Sequence, residues 1–368
     1  MDKLLKYLTI ALFMGFIFIV PIITLATPDK KVNEIENKIL TQLPQLSINN
    51  IINKKFMNEF DKYTADQFPM RTDFIELKNS YSYVSGQREF RNIYLTKTGK
   101  LLERFTQNTD MINNNISTIL NISNTLNADY NIDTKLMVVP TSIAFYNDEL
   151  PSWAITDDVK STINYINSKF NNTNLVDFYT PYKVLEQHKN NYIYFDTDHH
   201  WTQLGAKLAY EDMYNTKVSS TPTKVTENFY GTYYSKALLP NVNGDSIYAY
   251  LDFNDHKIDI DLSYTYDTLY DDTKLRGKNK YQYFLHGDPA IAIIDGNTNS
   301  NDEILIFKDS YAHSFIPFLT SNYKKIHVID PRYYNVELYK YLDENTGINE
   351  VLFINNIQTF NSSPIFKN

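Results

Sequence analysis

Glu303-Ile304-Leu305-Ile306-Phe307-Lys308-Asp309-Ser310-Tyr311-Ala312 is the stretch on which the fold turns. Residues 304–307 are a short, unbroken apolar run, the pattern of a strand covered on both faces. The run gives way to Lys308-Asp309-Ser310, and a second apolar stretch follows at 315–319. Runs of the same kind occur at 135–140, where Pro140 ends it, at 325–330 and at 351–354. A further short strand is expected at 174–177. Helical patterns separate these runs: 107–128, 159–170 with Asp158 placed to cap its start, and 204–214. Short apolar strands alternating with helices predict an α/β fold, a mainly parallel sheet with helices on both faces.

Toward the amino end, residues 92–95 and 98–100 read as a strand and a turn into a second strand. Phe56, Phe60 and Tyr63, then Phe74, Leu77 and Tyr81, recur at helical spacing. Residues 28–55 are polar and are expected to form a stalk. Residues 7–27 carry no charge and are long enough to span a bilayer as a helix, with Pro21 placed to kink it. Lys3 and Lys6 precede the run and favour a cytoplasmic tip at 1–6. Thr24-Leu25-Ala26 leaves a cleaved signal as the alternative, and with it a secreted protein. The length of the run favours an uncleaved anchor. The domain itself is expected over 56–368, with a β-rich surface insert at 243–282, where Asp and Tyr are dense and residues alternate at 248–251.

Composition removes several classes of function. The 368 residues include no cysteine, so disulfides, thiolate metal sites and cysteine nucleophiles are excluded. Ten glycines and no GxxxxGK[ST] or GxGxxG pattern argue against a phosphate-cradling loop. A net charge of −8 argues against a general binder of nucleic acid. No cofactor is expected.

Two places carry chemistry. One is Phe195-Asp196-Thr197-Asp198-His199-His200-Trp201-Thr202; the other is Ser310 at the end of its strand. Ligands of open α/β sheets bind outside the carboxyl ends of strands. A serine there needs a base, and an Asp-x-His spacing supplies one: Asp198 holds one nitrogen of His200, and the other takes the serine proton. Backbone carbonyls could hold His200 equally well. Ser310 could instead cap the following helix. A metal at His199 and His200 is set aside, because adjacent side chains of an extended segment point apart and no HExxH accompanies them. By the same alternation His199 is expected to face away from Ser310. His313 is expected on a helix surface, and Trp201 in the core rather than as a sugar platform.

Asp198-His199-His200-Trp201 and Lys308-Asp309-Ser310-Tyr311-Ala312 together resemble the DHHW proteins. These are bacterial, membrane-anchored relatives of the alginate O-acetylating proteins within the SGNH hydrolase-like superfamily. Asp66-Gln67-Phe68-Pro69 with Arg71, Asn92-Ile93-Tyr94, Val139-Pro140-Thr141, Leu150-Pro151, Phe229-Tyr230-Gly231 and residues 330–334 fit the same pattern. The resemblance implies a flavodoxin-like three-layer α/β/α fold and a Ser310, His200, Asp198 triad, circularly permuted against ordinary SGNH hydrolases. His199 departs from the alginate pattern, which has a small polar residue there. The usual oxyanion-hole blocks are not recognisable. Tyr311, Thr141, Gly287, Arg332 and Trp201 are the remaining candidates for oxyanion or substrate contact, beside the Ser310 N–H. The implied function is O-acetylation of a cell-surface or secreted polysaccharide outside the cytoplasm, with a separately encoded multi-spanning protein as acetyl donor. A carbohydrate esterase and a non-catalytic carbohydrate-binding or assembly protein are the alternatives.

Overall fold

The computed structural model describes residues 2–171, 173–240 and 242–366. Met1 and residues 367–368, the outer ends of the expected ranges 1–6 and 56–368, lie outside the described residues. Contacts divide the chain into two units, Met1–Gln87 with Ser235–Asn241, and Arg88–Tyr234 with Val242–Asn368.

The first unit opens with a helix over Asp2–Ala26 that contains Pro21. Its stretch Lys3–Thr24 is long and apolar enough to cross a membrane. Three further helices cover Ile48–Ile52, Lys55–Asp66 and Arg71–Val84. Of residues 28–55, expected as a stalk, Ile48–Ile52 is one of these helices, and residues 30–41 bond to Asp66, Gln67 and Arg71. Strands Val32–Asn33 and Lys38–Ile39 pair as a hairpin. The Lys38 ammonium meets the Asp66 carboxylate at 2.5 Å, and the Thr41 N–H donates to it at 3.0 Å. Arg71 Nε donates to Glu36 at 2.9 Å. Gln67 Nε2 donates to the carbonyls of Lys30 and Thr41. Asp66, Gln67 and Arg71 thus serve to pin this hairpin.

The second unit is built on one mixed sheet of eight strands. In chain order these are β1 (Asp133–Val139), β2 (Asp177–Tyr179), β3 (Ile258–Ile260), β4 (Tyr264–Tyr266), β5 (Ile291–Asp295), β6 (Glu303–Lys308), β7 (Lys325–Ile329) and β8 (Ile348–Asn356). Their spatial order is β4-β3-β5-β7-β6-β8-β1-β2. The five strands from β7 to β2 are parallel; β5, β3 and β4 join antiparallel. The expected surface insert is corrected here. It supplies β3 and β4, because Ile258 and Ile260 bury one face of β3 and its backbone pairs with β5. Strand β2 begins where the expected 174–177 strand ends.

Strand β6 sits in the middle of the parallel part. Ile304, Leu305 and Ile306 are fully buried, and Ile306 lies between Val328 and Leu352 in register. A core placed this way delivers residue 310 to the carboxyl end of the sheet. Ile306→Ala is expected to cost about 2–5 kcal/mol of unfolding free energy, through lost burial and the cavity left behind. Denaturant unfolding of the full chain in detergent checks this; a shift under about 0.5 kcal/mol, as at an exposed site, contradicts it.

Candidate active site

Where β6 ends, Asp309 takes over the capping. Its carboxylate accepts from the Tyr311 N–H at 2.9 Å, and from the N–H and side-chain amide of Asn356 at 2.7 Å each. Asp309, not Ser310, therefore caps the short turn Ser310–Ser314. The Ser310 hydroxyl, half-buried, is left for another partner.

That partner is His200. Its Nε2 lies 2.8 Å from Ser310 Oγ, and its Nδ1 lies 2.5 Å from Asp198 Oδ1. The other Asp198 oxygen accepts from the Thr232 N–H at 2.7 Å, and Oδ1 also accepts from the His200 N–H at 3.0 Å. Burial works to raise the Asp198 carboxyl, but the charges and hydrogen bonds of His199 and His200 outweigh it and hold the group well below the usual carboxylate range. With Asp198 ionised, His200 Nδ1 keeps its proton and Nε2 is free to accept from the serine hydroxyl. Burial, reinforced by the neighbouring His199, pulls His200 down to about 4 against the attraction of Asp198. The imidazole is thus neutral at physiological pH and fit to take a proton.

Contacts made by Tyr281, Thr197 and Gly231 fix the His200 ring and Asp198. His200 stacks on Tyr281 with centroids 3.6 Å apart and planes 9° apart. The Tyr281 hydroxyl is shared between the Ser310 carbonyl and Ser314 Oγ. Thr197 ties the loop down by giving its N–H and hydroxyl to buried Asp245. Gly231 packs so closely on Asp198 that any Cβ at 231 would collide with that side chain. This gives a physical reason for the glycine of Phe229-Tyr230-Gly231. Neither Gly231, Thr232 nor Tyr281 was foreseen as part of the site, and no local spacing in the sequence connects them to it.

His199 does not follow the expected alternation. Residues 197–200 bend rather than extend, and the two imidazoles lie side by side at 3.7 Å, with His199 Nδ1 3.5 Å from Asp198 Oδ1. One ligand atom from each of Asp198, His199 and His200 falls within 4.8 Å of the others, a spacing that could hold a metal ion. Of these groups, Asp198 Oδ1 and His200 Nδ1 are already engaged with each other at 2.5 Å. His313 is corrected from surface to interior. It is buried, and its Nε2 accepts from the Lys308 ammonium at 2.8 Å. Lys308 is itself buried and meets Asp330 at 2.9 Å, so the charge drew the imidazole inward.

The other predicted residues are placed as follows. Trp201 is fully buried and donates its indole N–H to the Tyr311 carbonyl at 2.9 Å. Tyr311 is fully buried and its hydroxyl donates to the His199 carbonyl. Arg332 forks onto both oxygens of Asp330, at 2.8 and 2.6 Å. Thr141 is buried and its carbonyl accepts from the Ala144 N–H. Gly287 adopts φ +110° and gives its N–H to Phe284.

A family model described as DHHW protein matches residues 101–329. Among solved structures, a DHHW family protein from Eubacterium siraeum aligns with a TM-score of 0.63 and 25% identity, over 75% of this chain and 94% of that one. PatB1 of Bacillus cereus aligns with a TM-score of 0.62 and 22% identity, over 75% of this chain and 98% of that one. A second PatB1 structure, with a sulfonyl adduct, gives 0.62 and 21% over the same shares. No curated protein matches in sequence.

Gly231→Ala is expected to push Asp198 off His200 while leaving the sheet intact. A displacement on the order of 1 Å at a reacting group costs on the order of 10²-fold in turnover. Ester hydrolysis measured beside circular dichroism checks this; unchanged turnover would show that Gly231 does not set the position of Asp198.

Proposed function

This chain belongs to the DHHW protein family, and on that premise we propose that it is an extracytoplasmic serine acyl-transfer enzyme that O-acetylates a cell-surface or secreted polysaccharide. The observation that carries the reading is the single imidazole bridging a carboxylate and a serine hydroxyl at 2.5 and 2.8 Å. Few purely structural needs call for that chain of three groups, whereas acyl transfer uses each one. The finer fold reading, helices layered on both faces of the sheet, is part of the same proposal.

In this reading Ser310 Oγ attacks the carbonyl carbon of an acetyl donor as its proton passes to His200 Nε2. Asp198 stabilises the imidazolium that forms. The Ser310 N–H, which has no intramolecular acceptor among the described residues, is the proposed donor to the oxyanion. Collapse of the tetrahedral intermediate returns the proton from His200 to the leaving group and leaves an acetyl-serine. A sugar hydroxyl then attacks, giving its proton to His200, and the acetyl ester of the sugar departs as Ser310 is restored. Water in place of the sugar makes the same site an esterase. The donor must reach this side of the membrane, so a separately encoded multi-spanning protein is proposed to deliver it. The apolar helix is proposed as a single-pass anchor with the second unit outside.

Ser310→Ala and His200→Ala are each expected to lower turnover of p-nitrophenyl acetate by on the order of 10³-fold or more, with His199→Ala keeping the turnover that His200→Ala loses. Because His200 is pulled down to about 4, its basic form persists well below neutrality. The acid limb of kcat/KM should therefore lie near pH 4, below that of an ordinary imidazole, with activity lost as pH falls through it. A Ser310→Ala enzyme with wild-type turnover refutes the proposal.

A further inference from the structure

Apart from its apolar helix, the first unit exposes an unusual amount of apolar surface. Fourteen large apolar side chains are exposed among residues 28–87, against nine among the described residues of the much longer second unit. A soluble surface rarely gathers apolar groups so densely unless something covers them. On the helix Arg71–Val84, the side chains of Phe74, Leu77, Tyr81 and Val84 are 47, 66, 75 and 84% exposed. At about 100° per residue they fall in one sector about 80° wide. Asp73 and Lys78, both exposed, flank that sector on either side. This is the pattern of a helix lying flat in a water–lipid boundary, with an apolar face below and charges at its edges.

The same unit shows where that face sits along the anchor. Phe68 rests on Phe16 with centroids 6.4 Å apart, and Phe74 meets Phe68 edge-on at 5.7 Å. Phe16 precedes Thr24, the end of the apolar span, by eight residues, about 12 Å along a helix axis. The whole span of 22 residues is needed to cross a hydrocarbon layer of about 30 Å. When the span is embedded, Phe68 and Phe74 are therefore level with lipid chains and not with water.

We propose that Arg71–Val84 is an in-plane membrane helix, its Phe74, Leu77, Tyr81 and Val84 face held in the leaflet where the span's carboxyl end emerges. The occupant of the face is lipid. The inference rests on the anchor reading given above, and it adds a second attachment that would hold the first unit down on the bilayer.

The chain has no cysteine, so single cysteines report single sites. Leu77→Cys, Tyr81→Cys, Ile10→Cys in the span and Glu344→Cys on the second unit are each labelled with an environment-sensitive fluorophore. The full chain is then placed in phospholipid vesicles that contain no other protein. Labels at 77 and 81 are expected to be quenched several-fold more than the label at 344 by nitroxides on the lipid chains, and to be shielded from aqueous iodide. If the label at 10 is quenched but those at 77 and 81 remain open to iodide, the in-plane helix is refuted while the anchor stands; a protein partner would then be the cover. If the label at 10 is not quenched either, anchor and helix fall together.

Discussion

A buried carboxylate sets the conditions for the site. Asp198 is taken out of water, which disfavours its charged form, and only a full set of hydrogen bonds can offset that cost. The N–H of Thr232, the N–H of His200 and the His200 ring supply them. Each of these bonds also fixes a position. The ring bond sets the tautomer and so frees Nε2. The bond from Thr232 requires the chain to pass close by at Gly231, where no side chain fits. Losing the carboxylate would leave the buried imidazole its stack on Tyr281 but no acceptor for the Nδ1 proton to set the tautomer.

The sheet does the rest of the positioning. Ser310 lies 110 residues beyond His200, and it reaches the ring because β6 is central, parallel and rigidly packed. Asp309 caps the turn that follows and is bound in turn by Asn356 at the end of β8, so two adjacent strands share the task of holding the serine. Buried Lys308, Asp330 and His313, with half-buried Arg332, lie alongside and join two more chain segments by charge.

Much of this was legible in the sequence, for physical reasons. The parallel strands β1, β6, β7 and β8 are continuous apolar runs, because both faces are covered, and such runs stand out. Strands β3 and β4 are three residues each, too short for alternation to speak, so their membership of the main sheet depended on tertiary pairing. Ser310 and His200 stood out from strand-end logic and from the Asp-x-His spacing. The side-by-side placement of His199 did not, since alternation holds for extended backbone and this segment bends. His313 was misplaced because helical spacing gives its turn and not which side is buried. Thr232 and Tyr281 come from distant segments and carry no pattern of their own, and Phe229-Tyr230-Gly231 fits the family pattern without showing that its glycine packs on Asp198.

The central claim is that Ser310 becomes covalently acylated with His200 as its base. Mass spectrometry of the full chain, quenched in acid during turnover of an acetyl ester, tests this most directly. The account predicts one acetyl group on the peptide that contains Ser310, and none on that peptide in His200→Ala. An acetyl group on a different residue, or one on Ser310 that forms as fast without His200, would contradict it.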